Sequence, residues 1–550
     1  MFEQQQFLAN FRRVMAYLLT VTITLGPSVT PAFASSAKAA TKQTASAATA
    51  TPIQHLVVIF NENISFDHYF GTYPNATNPA GEPKFRAAIA TPTVNGLTNA
   101  LLNHNPNLNS GNGTGAANPF RLDRSQAFTN DMDHDYTPEQ QAFDGGLMDL
   151  FPLNTGTAGP PPSGAPVTST NGLVMGYYDG NTVTAMWNYA QNFALNDNSY
   201  GTTFGPSTVG VLNLIAGQTN GVTSTLNGTG DEVTDGNGGL TVIGDPDPIG
   251  DVCSNPTRNQ VQMGGKTIGD LLSAAGVTWG GFMGGFNLST VNANGTTGCS
   301  RTTTSAVTGV TETDYIPHHS LFAYWPSVAN PNHTRPASLA EIGNAGPANH
   351  EYDIQDFYIA AAGGNLPAVS FLKAPGYQDA HAGYSDPLDE QTFVVNTINF
   401  LEALPTWSST AVVIMYDDSD GWYDHQIGTI VNTSAGPMDA LTAPGFCGTG
   451  ADALPGISSN TAHAMGRCGY GPRLPLLVVS PWARDNFVDR TVTDQSSVIH
   501  FIEDNWLGGQ RIGGGSFDSL ASSIAQMFNF NKIRNNGVLF LNPSTGTKEP

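Results

Sequence analysis

The chain has 550 residues, with 21 Lys and Arg against 44 Asp and Glu, a formal net charge of −23. That sign argues against nucleic acid or an anionic membrane surface as a passively attracted partner. Hydrophobic residues make up 40 % of the chain and charged ones 12 %, which argues for a globular protein with a sizeable core and against a self-repelling disordered one.

In chain order, residues 1–34 read as a signal peptide. Arg12 and Arg13 precede an apolar run from Val14 to Leu25, and Pro31-Ala32-Phe33-Ala34 offers small residues for cleavage after Ala34. The apolar run is short of the ~20 residues that a membrane span needs, and no later segment reaches that length, so an exported chain with no transmembrane segment is expected, periplasmic or secreted. Residues 35–52 are rich in Ala, Ser, Thr and Lys and read as a flexible leader. A catalytic domain is expected over 53–530, with loop-rich insertions at about 72–180 and 220–317, followed by a tail over 531–550. Four apolar runs predict buried parallel strands: His55–Phe60, Ala368–Leu372, Ala411–Tyr416 and Leu474–Val479. Helices are expected at Ile268–Ala275, Glu390–Leu404 and Ser497–Leu507, with Asp389 and Ser496 or Ser497 as caps, and one short helix at about Asp518–Phe528. The alternation implies an α/β fold, a central mostly parallel sheet flanked by helices. The four cysteines of an exported chain are expected as disulfides, with sequence proximity favouring Cys253–Cys299 and Cys447–Cys468.

Function in such sheets collects at the carboxyl ends of the strands. The first strand runs into Asn61-Glu62-Asn63, and the one ending at Tyr416 runs into Asp417-Asp418-Ser419-Asp420. Adjacent carboxylates repel one another unless a cation lies between them, and these oxygens are of the type that hard divalent ions select. Ser207 in Gly205-Pro206-Ser207-Thr208 precedes an apolar helical run, which puts it at a helix N-terminus where free N–H groups favour an anion such as a phosphoryl group. The same segment also reads as a plain cap formed by Ser207 or Thr208. His134, His318, His319 and His381 lie in polar, loop-like settings suited to binding phosphate oxygens or protonating a leaving alkoxide. His68, His425, His463 and His500 are assigned structural roles. Lysine is nearly absent from these clusters, which argues against a lysine phosphate cradle.

From Gln54 to Gly71, through Asp133-His134, Gly205-Pro206-Ser207, Pro317-His318-His319, Tyr377 to Gln391, Asp417 to His425, Tyr470 to Pro475 and Ser480-Pro481-Trp482-Ala483, the chain resembles the bacterial phosphoesterases that include phosphatidylcholine-type phospholipase C and its acid phosphatase relatives. The resemblance implies an alkaline-phosphatase-like fold, with a metal on the residues matching Glu62, Asn63, Asp417, Asp418 and the nucleophile Ser207. It also implies a phosphate surrounded by His134, His318, His319 and His381. Two departures favour the acid phosphatase branch: the chain ends soon after the catalytic region, whereas the longer phospholipases C carry further β-rich modules, and Ser207-Thr208-Val209-Gly210 replaces a Thr followed by Pro-Asn.

The expected activity is therefore an acid phosphatase acting on phosphomonoesters through a phosphoserine, aided by one divalent ion. Ligand type points to calcium, magnesium or manganese, with iron and zinc kept open. The alternative is a phospholipase C acting on phospholipid head groups; a non-catalytic binding protein on the same scaffold is the third reading. Small phosphoesters are the expected partners, and the oligomeric state is left open.

Overall fold

The computed structural model describes residues 48–449, 454–533 and 537–549, so the signal-peptide expectation lies outside the described residues. An eight-stranded sheet forms the centre: β1 (His55–Asn61), β2 (Ala194–Asn196), β3 (Trp279–Met283), β4 (Glu351–Asp353), β5 (Val369–Lys373), β6 (Thr410–Tyr416), β7 (Leu476–Val479) and β8 (Phe487–Asp489). Their order across the sheet is β4-β3-β5-β1-β6-β7-β2-β8. Every neighbouring pair is parallel except the two made by β7, which runs antiparallel to both β6 and β2. The parallel reading of Leu474–Val479 is thereby corrected; a buried apolar run records burial on both faces and not direction.

The principal helices are α1 (Phe66–Phe70), α2 (Tyr136–Phe143), α3 (Thr184–Asn192), α4 (Ser207–Ala216), α5 (Ile268–Ala275), α6 (Ile354–Ala362), α7 (Pro387–Glu402) and α8 (Ser496–Trp506). The cap of α7 is Asp386 and not Asp389: its carboxylate accepts the N–H groups of Leu388 and Asp389, and Pro387 takes the first helical position. Helix α8 begins at Ser496 and lacks a side-chain cap on Gln495. The helix expected near Asp518–Phe528 is two 3-10 turns, Phe517–Ser519 and Ile524–Met527.

β1, β5 and β6 are buried essentially throughout, as strands covered by helices on both faces should be. The stretch at 220–317 contributes α5 and β3 to this core. β3 holds Gly280 and Gly281 because a Cβ at either would collide with the Phe282 and Tyr352 rings or the Phe322 ring. Both expected disulfides are formed. The C-terminal residues lie along α7 and α3: Asn399 exchanges two hydrogen bonds with the Leu541 backbone, Trp407 Nε1 donates to Gly537 O, and Asn188 donates to Gly546 O.

Candidate active site

The loops leaving β1 and β6 lie side by side and are bonded to each other. Ile64 N donates to Asp418 O, Asp417 N donates to Asn61 O, and Asn63 N donates to Asp417 Oδ1 at 2.9 Å. Asn63 reaches that bond with φ of +62°, a left-handed conformation that asparagine tolerates better than most residues. Helix α4 is pressed against the same edge, since Gly210 leaves no room for a Cβ against the Asp417 backbone.

Ser207 is the first residue of α4, after Pro206 in the cap position, so neither Ser207 nor Thr208 is the cap. Its hydroxyl donates to Glu62 Oε2 at 2.9 Å and lies 3.4 Å from Asp418 Oδ2. Thr208 N donates to Asp245 Oδ1. Glu62 Oε1 faces His319 Nδ1 at 3.1 Å and pairs with Lys373 Nζ, which lies 3.4 Å from Asp417 Oδ2. His318 and His319 meet edge to face at 4.4 Å, and His381 lies 6.2 Å from His319 and 6.0 Å from His134. His134 lies 3.5 Å from Asn63 Nδ2 and 3.6 Å from Asp420. All nine residues picked out by the sequence thus fall in one connected cluster. Beside it, a pocket of about 300 Å³ is lined by His318, His319 and His381 together with Arg258, Asp247 and Tyr384.

The electrostatics are those of an acidic, buried centre. Burial pushes the Asp418 carboxyl well above its usual range, with Asp417 and Glu139 adding to the effect against the pull of His134. Burial also acts on His134, but there Asp418, Asp131, Asp420 and Asp245 outweigh it and raise the imidazole well above its ordinary value. His319 is lowered by burial and by His318 and His381, and His381 by burial despite Asp131. One imidazole is therefore held cationic and two neutral. The Nδ1 of His381, 2.6 Å from Ala382 O, is assigned as the donor in its neutral ring.

The residues fit a cation. Asn63 Oδ1 is buried without a hydrogen-bond partner on a residue whose backbone N–H bonds Asp417 Oδ1, Ser207 Oγ contacts Glu62 and Asp418, and hard oxygens of this kind suit a divalent ion. The groups of close His and carboxylate ligand atoms in this cluster are Glu62, His319 and Asp379, and Asp131, His134 and His381. A buried orphan amide oxygen among excess carboxylates is costly unless something positive meets it.

Several residues here were not anticipated. Lys373 brings an ammonium into the cluster, paired with the carboxylates of Glu62 and Asp417; its sequence signal was a lysine directly after the run Ala368–Leu372. Glu139 on α2 accepts from Ser419 Oγ and Gly205 N, tying together the loop after β6 and the loop before α4, and burial pushes it up to about 8. Asp67, Asp424 and Arg473 form a buried ion cluster under the same loops, Arg473 bonding both carboxylates. It explains three of the sequence motifs structurally. The histidines assigned structural roles include His68, stacked on Trp422 at 3.9 Å, and His425, paired with Asp67.

Comparisons with known proteins place the chain in a family. The model of the Phosphoesterase family matches residues 53–507. The chain is 25 % identical over 463 residues to a non-hemolytic phospholipase C of Burkholderia pseudomallei, covering 82 % of this chain and 55 % of the relative. It is 25 % identical over 467 residues to phospholipase C A of Mycobacterium tuberculosis, covering 82 % and 72 %. It thus spans about half the length of the first of these. Among solved structures, murine ectonucleotide pyrophosphatase/phosphodiesterase 5 superposes with a TM-score of 0.28 at 11 % identity, over 63 % of this chain and 95 % of that one. With the family model spanning the whole stretch from the first strand to the last helix of the sheet, the chain belongs to the Phosphoesterase family.

Proposed function

We propose that the chain hydrolyses phosphoric esters with Ser207 as the nucleophile. The observation carrying this reading is the placement of Ser207 Oγ at the start of α4, in hydrogen-bond contact with Glu62 and Asp418. A single divalent ion bound by Glu62, Asn63, Ser207, Asp417 and Asp418 would lower the hydroxyl pKa and offset charge on the phosphoryl oxygens. Ser207 Oγ attacks phosphorus, a serine–phosphorus ester forms as the substrate ester bond breaks, and water then releases the phosphate. Glu62 and Asp418 are placed to receive the serine proton. His134, cationic, and His319 face the non-bridging oxygens. His318 or His381 returns a proton to the leaving alkoxide, His381 after first taking one up. The positive end of the α4 dipole adds to the stabilisation.

Of the two ester classes, the relatives support the phospholipase C alternative over the acid phosphatase reading, because those matching over most of this chain carry phospholipase C names. An N-terminus with the order of an export signal supports a periplasmic or secreted site of action, and no helix among the described residues is long and apolar enough to cross a membrane.

The test is a panel of phosphatidylcholine micelles, phosphatidylserine micelles and p-nitrophenyl phosphate, run before and after chelation with metal analysis of the same sample. Faster turnover of either lipid than of the monoester, lost on chelation and in Ser207→Ala, is expected. Faster turnover of the monoester returns the assignment to a phosphatase. Full activity of Ser207→Ala overturns the mechanism.

A further inference from the structure

The pocket beside the catalytic cluster contains a guanidinium to which the mechanism gives no task. Arg258 Nε donates to Asp245 O at 2.8 Å, and Asp245 Oδ1 accepts the N–H of Thr208, the residue after the nucleophile, at 2.8 Å. Two hydrogen bonds thus tie Arg258 to the start of α4. Its own backbone is fixed by Asn227 Nδ2 on Arg258 O and by Arg258 N on Asn255 O. The fork is therefore anchored on one side only: among the described residues neither Nη group donates a hydrogen bond, while the side chain is 38 % exposed on the pocket wall.

The other charged groups of the pocket are already engaged. Asp247 accepts Asn255 N through Oδ2, and its Oδ1 lies 3.6 Å from Arg258 Nε and 3.7 Å from His318 Nδ1. Glu312 Oε1 takes both the N–H and the hydroxyl of Thr313. Nor is there a cage for a quaternary ammonium, which needs open ring faces. Tyr384 is the one non-histidine ring among the residues lining the pocket, and it is stacked on His381 at 4.4 Å. What the pocket offers unspent is a planar fork of N–H donors, whose natural complement is a carboxylate or phosphate bound through two oxygens.

We propose that Arg258 is a specificity-determining residue that binds a second anionic group, on the portion of the substrate that stays attached to the phosphoryl group. The substrate class is then a phosphoester whose head group carries a carboxylate or a further phosphate, and cationic head groups such as choline are disfavoured. The inference rests on the reading of this site as a phosphoesterase centre and narrows its substrates.

Head groups differing only in charge test it. 2-Phosphoglycolate, phosphocholine and inorganic phosphate are titrated by calorimetry into the full chain carrying Ser207→Ala, with magnesium and calcium present, and into the same protein with Arg258→Gln or Arg258→Lys added. Phosphoglycolate is expected to bind at least about tenfold more tightly than phosphocholine, the order of one charge-assisted bidentate contact. Arg258→Gln brings the two within about twofold and leaves inorganic phosphate unchanged, while Arg258→Lys retains part of the preference because it keeps the charge without the fork. Equal or reversed affinities, no measurable binding of either ester, a ratio untouched by Arg258→Gln, or an equal loss for inorganic phosphate each overturns the proposal. Circular dichroism of both variants separates a lost contact from a lost fold. The binding ratio and turnover by the unaltered chain are independent: the ratio without hydrolysis refutes the enzymatic reading, and hydrolysis without the ratio refutes the role of Arg258.

Discussion

Gly210→Ala is the sharpest probe of how the proposed nucleophile, Ser207, is placed. A Cβ at this position would lie 2.4 Å from Asp417 O and 2.7 Å from both the Asp417 carbonyl carbon and Cα, where ordinary contact begins at 3.4 Å. The obstacle is backbone, and it is held: Asp417 N bonds to Asn61 O, and Gln495 Nε2 donates to Asp417 O at 2.5 Å. Relief therefore comes from moving α4 by about 1 Å, a typical backbone response to overpacking, at a cost of about 1–3 kcal/mol in stability. Ser207 is one turn away on the same face of that helix. Its 2.9 Å bond to Glu62 would stretch past hydrogen-bonding range, and a misplacement of that size costs about 10²-fold in rate. The assay pairs kcat on the better ester substrate with urea unfolding followed by circular dichroism. A large loss of kcat with a modest loss of stability is expected; wild-type turnover at unchanged stability would refute the view that this glycine sets the position of the hydroxyl.

Other expectations concern charge. Arg473→Met leaves Asp67 and Asp424 buried without their guanidinium and should cost about 3–5 kcal/mol, read as a lower urea midpoint. Glu351, pushed up to about 8 by burial, is protonated in the folded chain while its unfolded counterpart ionises from about 4.5; stability from this group is complete below 4.5 and falls by up to about 1.4 kcal/mol per pH unit as pH climbs to 8. Glu351→Gln should flatten the melting temperature between pH 5 and 8 relative to the wild type. Lys373→Met removes the ammonium paired with Glu62 and Asp417, so thermal stability should drop in chelator and recover in part with added divalent cation, as one positive charge replaces another. An equal drop with and without cation would contradict that view.

The parts of the fold legible in the sequence were those where one physical demand dominated. β1, β5 and β6 announce themselves because burial on both faces requires unbroken apolar runs. Helix α5 emerged with its ends because Thr267 and Asp270 form a capping box and Gly276 adopts the left-handed conformation that closes it. β3 was hidden because two of its five residues are glycines, chosen for the aromatic rings they face rather than for strand propensity. β2, β4 and β8 have only three residues each, too few to show a period. The metal-type ligands and Ser207 were readable since they directly follow strands or open a helix. Glu139 and Asp245 act across long sequence separations and Arg258 through one bond to a loop residue, contacts which leave no local pattern.

The reversed direction of β7 has a consequence for how such a site can vary. Parallel strands hand residues to this edge of the sheet only as they finish, whereas β7 delivers Arg473 there before it begins. The proposed catalytic groups and their support thus enter from opposite senses of the polypeptide, and the turn joining β7 to β8 is left at the opposite edge of the sheet. Lengthening the chain at residues 484–486, just past Ser480-Pro481-Trp482-Ala483, is accordingly a change of connecting chain weakly coupled to chemistry, and a natural place for descendants of this architecture to diverge.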